Sequence, residues 1–193
     1  MRRLNSKHKE AKRQKRNQVI IGSILVFVMF SSVLGYATLN FSQSGEDTET
    51  SNSVNYNNFE FANQNGFWIL NKDNTNFIFK NNPHQVPRIN SELNGLEGYN
   101  GKPLYISSSN VEASSEIRNN LFRYVLRIQE ACLENEVCEG NFPVKSCEDN
   151  LIVIKEGAQG ITQKNNCVFI QGEEKDLTKL TDEFLFKVLG IES

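Results

Sequence analysis

Few residue types in this 193-residue chain could do chemistry: four cysteines, two histidines and a scatter of carboxylates. Cys132, Cys138, Cys147 and Cys167 are separated by five, eight and nineteen residues, so no C-x-x-C pair exists. That removes the thioredoxin-like redox motif and the paired-cysteine zinc signatures. An even cysteine count predicts two structural disulfides, which belong in an oxidising compartment. A Ser or Cys nucleophile needs a base, and beyond the N-terminal arm His84 is the only histidine. Pro83-His84-Gln85-Val86-Pro87 reads as an exposed turn held by its two prolines. The adjacent acids Glu148-Asp149 and Asp182-Glu183 point in different directions on a helix or strand, and read as surface charge. No P-loop, G-x-G-x-x-G or zinc-helix motif occurs. No catalytic residue, cofactor or metal ligand is assigned, and an enzyme is the less favoured class.

The elements that must position these residues begin with a charge split. Residues 1–18 carry eight basic side chains against Glu10, a net of +7; residues 40–193 carry a net of −9. Between them, Val19 to Leu39 is an uncharged, mostly apolar run of 21 residues. At about 1.5 Å per residue such a helix spans about 31 Å, the hydrocarbon thickness of a bilayer. Arg2, Arg3, Lys7, Lys9, Lys12, Arg13, Lys15 and Arg16 all precede it. The positive-inside rule therefore predicts a single pass in the cell membrane, with the N-terminus cytoplasmic and the C-terminal domain outside. The basic arm abuts the span directly, so its expected partner is anionic lipid rather than nucleic acid. Two other readings compete. In a cleaved signal peptide, small residues around Gly35 and Ala37 would mark the cut, but the run outlasts a normal apolar core. In a pilin-like leader, Asn17 would stand where a Gly or Ala is usual, and no acid follows it.

Residues 40–58 are polar and without period, which predicts a flexible stalk. The 25 asparagines read as turn chemistry, since Asn tolerates left-handed backbone. Phe59-Glu60-Phe61, Phe67–Leu70 and Phe77-Ile78-Phe79, parted by Asn65-Gly66 and by 71–76, predict an antiparallel meander with Trp68, Phe77 and Phe79 in its core. Lys102–Ile106 predicts a strand ended by Ser107, Ser108 and Ser109, which suit capping of a following helix. Ile117, Leu121, Tyr124, Val125, Ile128 and Cys132 form one stripe, predicting a helix over 114–132. Arg118, Arg123 and Arg127 fall on its solvated face. Leu151–Ile154 and Val168–Ile170 are continuous apolar runs, as in strands covered on both faces. Asp176 caps a last helix carrying Leu177, Leu180, Phe184 and Val188, with Gly190 as its stop. The expected domain, 59–193, is α+β or small α/β: a β-meander followed by a β-α-β-β-α unit.

Topology chooses among the three possible cysteine pairings. In a simple hairpin of 151–154 with 167–170, Cys147 would lie about 26 Å along the sheet from Cys167, at about 3.3 Å per residue. Were those strands parallel, with Gly160–Gln163 as a return segment, both cysteines would enter from one end. The apolar runs favour the parallel arrangement, which predicts Cys147–Cys167 and leaves Cys132–Cys138 to staple the helix end to its loop.

Pro143–Cys147, Asp149–Lys155, Asn166–Ile170 and Leu180–Lys187 resemble a group of uncharacterised, membrane-anchored proteins from small-genome archaea. The resemblance runs from the basic arm to the C-terminus and is most specific in the C-terminal third. It implies a tethered exterior domain with paired cysteines; the group has no assigned activity, and no site residue is carried over. The expected function is a membrane-tethered extracytoplasmic interaction or structural module of the cell envelope, contacting lipid through its anchor and a protein partner outside. The alternatives are an extracytoplasmic enzyme using carboxylates or cysteine chemistry, and a pilin-like surface subunit.

Overall fold

The computed structural model describes residues 20, 21, 23, 24, 29, 53–138 and 140–191. The chain divides into two units, Met1–Thr50 and Ser51–Ser193. In the first, Ile20, Ile21, Ser23, Ile24 and Met29 are helical. The rest of the expected anchor, the basic arm and residues 40–52 of the expected stalk lie outside the described residues. Among the described residues no helix is long and apolar enough to cross a membrane.

The second unit is α+β, rich in sheet with two α-helices. It opens with an antiparallel meander of four strands: β1 (Ser53–Tyr56), β2 (Phe59–Gln64), β3 (Phe67–Lys72) and β4 (Thr75–Phe79). Its turns are Asn57-Asn58, Asn65-Gly66 and Asp73-Asn74, and all six residues have positive φ. Two consecutive left-handed residues give the turn whose twist matches paired strands, and Asn, Asp and Gly tolerate that backbone best. The asparagines thus act as turn formers, as expected. Ser53–Tyr56 departs from the stalk reading. Its polar composition belongs to an edge strand registered against β2, from Ser53 opposite Ala62 to Tyr56 opposite Phe59.

A five-stranded sheet follows, in the order β10-β11-β9-β5-β6. Its strands are β5 (Pro103–Ser108), β6 (Arg127–Glu130), β9 (Leu151–Glu156), β10 (Gly160–Lys164) and β11 (Cys167–Gly172). β6, β5, β9 and β11 run parallel, and β10 is an antiparallel edge. The parallel pairing of 151–156 with 167–172 is the expected one, and the return segment is itself the edge strand. The helix expected over 114–132 is shorter. Helix α1 is Val111–Leu121, a turn occupies 122–126, and 127–130 is β6. Tyr124, Val125 and Ile128 mimic a helical stripe. Pairing with β5, Leu104 opposite Ile128, turns Ile128 onto the core while Arg127 and Gln129 face solvent. Arg118 pairs with Glu130 at 2.9 Å, and Arg127 donates to the Tyr105 hydroxyl at 2.7 Å.

Helix α2 (Leu177–Val188) is buried at ten of its twelve positions. The Asp176 side chain makes no capping bond and instead pairs with Lys179 at 3.7 Å. The helix ends as expected at Gly190, φ 67°, where the Gly190 N–H bonds the Lys187 carbonyl and the Ile191 N–H bonds that of Phe186. These two bonds satisfy carbonyls that a helix end otherwise leaves open. A Cβ at Gly172 would run into Leu180, so α2 lies against β11 as closely as glycine permits.

The helices form a middle layer. One core joins Phe61, Leu70, Phe77 and Phe79 of the meander, Ile117, Leu121, Leu180, Phe184 and Phe186 of the helices, and Leu104, Ile106, Ile152, Ile154, Val168 and Ile170 of the larger sheet. Trp68 is half-buried against it. The other face of that sheet presents Tyr105, Leu151, Val153 and Cys167 to Ala131, Leu133 and Cys147. Residues of 131–138 and 140–150 cover this face, braced by the short parallel pair β7 (Cys132–Leu133) and β8 (Val144–Lys145). Both expected cysteine pairs are at disulfide distance, with Cα separations of 5.7 Å for Cys132–Cys138 and 4.9 Å for Cys147–Cys167. Replacing Cys147 and Cys167 together with serine is expected to cost about 3 kcal/mol, because the closed loop spans twenty residues. Urea denaturation of the full chain in detergent measures this, and a cost under about 1 kcal/mol would contradict it.

Candidate functional site

A cleft of about 440 Å³ lies at the carboxyl ends of β5, β6 and β9. Chain connectivity explains its position. From β5 the chain crosses through α1 to β6 on one side, whereas β9 lies on the other side and leads on to β11. Connections departing in opposite directions leave a crevice at the strand ends, where open α/β sheets bind ligands. Ile106, Val153 and Ile154 line it from the sheet, with Ser107 and Ser108 at the end of β5 and Ser109 just beyond it. Segment 132–142 supplies the outer wall through Cys132, Val137, Cys138 and Phe142. An ion pair between Lys155 and Glu136 ties this wall to β9. The serines do not cap α1 as expected. Asn110 is the cap, its Oδ1 accepting the Ala113 N–H at 2.8 Å, while Ser108 Oγ accepts the Asn110 N–H at 3.0 Å. Hydroxyls and one ion pair over an apolar floor suit the site to holding a ligand.

A second cluster is buried between the helices. Glu116 of α1 and Asp182 of α2 are 5 % and 0 % exposed and face one another. Asp182 Oδ2 accepts the Asn81 N–H at 2.8 Å and the Asn81 amide at 2.9 Å. The Lys80 main-chain N–H acts on Glu116 in the opposite sense to burial, favouring its ionised form. The oxygens left over, Glu116 Oε2 and Asp182 Oδ1, meet no donor, and one proton held between the two carboxyls would supply it. Burial, with the neighbouring Glu112 charge, pushes the Glu116 carboxyl up to about 7. Burial and the Glu116 charge likewise hold Asp182 well above the usual carboxylate range, against the Asn81 hydrogen bonds. The groups around the pair are Glu112 and Asn120 of α1, Thr178 of α2, and Lys80 and Asn81 after β4. Lys80 pairs with Glu112 at 3.4 Å, and Thr178 donates to Glu112 at 3.1 Å. The neighbouring Glu183 accepts the Ile89 N–H at 3.1 Å and pairs with Lys187 at 3.5 Å.

Asn120 completes this belt, bonding the main chain of the outermost meander strand as a neighbouring strand would. Its Oδ1 accepts the Ile78 N–H at 2.8 Å and its amide donates to the Ile78 carbonyl at 2.7 Å. Asn120→Ala strands both groups and is expected to cost about 2 kcal/mol by denaturation. A cost within about 0.5 kcal/mol of zero would show that the edge finds other partners.

The remaining residues singled out in the sequence fall elsewhere. His84 is exposed, edge-on to Tyr56 at a centroid distance of 5.3 Å. Glu148 is exposed and Asp149 pairs with Lys145 at 3.2 Å. Asp182 and Glu183, read as surface acids, are instead buried, because α2 is covered almost all round. Of the cysteines, Cys132 and Cys138 reach the cleft. Cys147 and Cys167 pack on the covered sheet face. Among the described residues no group of three or more His, Cys, Asp or Glu is placed to hold a metal ion. The fold and cleft define a disulfide-stapled α+β domain with helices between two sheets. Comparison with protein-family models, curated proteins and solved structures finds no match.

Proposed function

We propose that the chain is a membrane-tethered extracytoplasmic interaction module of the cell envelope, with the cleft as its contact surface. The observation that carries this reading is the pairing of all four cysteines around segment 132–147. Two disulfides brace the segment that walls the cleft, an arrangement that persists in an oxidising exterior space. The uncharged run 19–39, with its basic flank, supports a tether to the membrane, as does the resemblance to membrane-anchored proteins. Anionic lipid meets the basic arm, and a protein partner meets the exterior domain.

The test is a photo-crosslinking side chain placed in the full chain in intact cells, at exposed Ser109 in the cleft or at exposed Glu60 on the meander as control. A discrete adduct from Ser109 but not from Glu60 is expected. Equal adducts, or none, would count against the cleft as the contact surface. A membrane-impermeant thiol reagent, applied to whole cells after mild reduction, should label the chain. Labelling only after the cells are permeabilised would place the domain inside.

A further inference from the structure

We propose that Cys132–Cys138 is a thiol-exchange site, at which an external dithiol opens the outer wall of the cleft while Cys147–Cys167 stays closed. The two pairs differ in access. Cys132 and Cys138 are both half-buried and both line the cleft, so a small thiolate can approach them through solvent. Cys167 is 0 % exposed, registered opposite Leu151 on the covered face of the sheet. Its partner Cys147 is half-buried against the same face, so a thiolate can meet only that one sulfur, and attack there must expel the Cys167 thiolate into an apolar core, which opposes exchange at this second pair.

The consequences differ as well. The Cys132–Cys138 loop has little else holding its tip. Cys132 and Glu134 at its base bond Pro143 and Lys145, and the Glu136 N–H bonds the Leu133 carbonyl. Beyond these, the tie to the sheet is the solvent-screened Lys155–Glu136 pair, and Val137 is 97 % exposed. Glu134, Asn135, Glu136 and Val137 are all exposed, so breaking the disulfide removes the covalent closure of a loop that has little burial to hold it over the cleft.

The exchange balances. A thiolate of the dithiol attacks one sulfur of the pair. The S–S bond breaks, a mixed disulfide forms, and the other cysteine leaves as a thiolate and takes up a proton. The second thiol of the reductant displaces the mixed disulfide, releasing the oxidised cyclic reductant and a second cysteine thiol. Two electrons and two protons pass to the protein, and oxidation by a reactive disulfide reverses the sequence. This inference goes beyond the tethered-module reading and stands without it, since access and local tethering are properties of the chain in any compartment.

The test uses the full chain in detergent, exposed to graded dithiothreitol under native conditions, quenched with iodoacetamide and mapped by peptide. Cys132 and Cys138 are expected to become alkylated about tenfold faster or more than Cys147 and Cys167. In the selectively reduced protein, amide exchange should rise over 133–138 and stay unchanged over 151–156 and 167–172. Equal or reversed reduction rates would overturn the proposal, as would unchanged exchange over 133–138. The double variant Cys132→Ser, Cys138→Ser should show the raised exchange over 133–138 without reductant. If that variant instead loses protection over 151–172, the pair is structural and the proposal fails.

Discussion

Replacing Phe186 with alanine is expected to lower the unfolding free energy by about 3–5 kcal/mol. Phe186 is 0 % exposed and stands where α2 meets the meander. It lies edge-on to Phe61 at 5.7 Å between centroids and tilted against Phe79 at 4.7 Å. Phe61 and Phe79 are themselves 6.0 Å apart, so the three rings pack as one unit. Their role follows from the layering. A meander of short strands draws its stability from its hydrophobic face. Here Phe61, Leu70, Phe77 and Phe79 are that face. Removing the Phe186 ring leaves a cavity under two of the four, so amide exchange should rise first in β2, β3 and β4. Phe122→Ala is the control, since that ring is 55 % exposed, and its cost should stay within about 0.5 kcal/mol. A Phe186→Ala cost below about 1 kcal/mol in urea denaturation of the full chain would mean that the meander does not depend on α2.

Much of this architecture is written locally in the chain, and the exceptions share a cause. Leu151–Ile154 and Val168–Ile170 are apolar without alternation because β9 and β11 are covered on both faces. That pattern favours the parallel arrangement, which the register of β9 with β11 bears out, and with it Cys147 beside Cys167. The turn asparagines are equally local, since a left-handed residue pair tolerates few side chains. Residues 122–132 failed because two periods coincide. Tyr124, Val125 and Ile128 fit a helical stripe, and only the long-range ladder with β5 makes 127–130 a strand. Ser53–Tyr56 failed for a related reason, because an edge strand whose only partner is β2 carries no apolar signature.

The cleft was less legible still. Its residues come from strand ends and loops far apart in sequence, so no motif marks it; the three serines at the end of β5 are the only local cue, and they point to capping. For the buried acids the chain does carry a local cue. Glu116 and Asn120 fall on the same face of α1 as Ala113, Ile117 and Leu121. Asp182 and Glu183 interrupt a helix that is apolar nearly all round. An acid on an apolar stripe needs a partner, and only the packing of α1 on α2 brings that partner from 66 positions along the chain.

The pair gives the domain an unusual dependence on pH. In the unfolded chain Glu116 loses its proton near 4.5, whereas in the fold burial holds the proton up to about 7. Between those values the folded state binds more protons than the unfolded one, so its stability falls as pH rises. The contribution is fully present below about pH 4.5 and is lost as pH passes through 7. Asp182, shifted in the same direction, adds to it. Other charges near the pair act on it without reversing the sign: Glu112 raises the Glu116 value, while Lys80 and the Asn81 donors oppose the shifts. Comparison with Glu116→Gln isolates the effect, because the amide has no proton to lose and can donate to Asp182. The stability of Glu116→Gln relative to the unmodified chain should rise by about 3 kcal/mol between pH 4.5 and 7.5, at about 1.4 kcal/mol per pH unit for one proton. Urea midpoints at half-unit intervals of pH measure it. A difference that stays flat across that window would show that Glu116 ionises normally in the fold, and that the two orphan oxygens are satisfied in some way other than a shared proton.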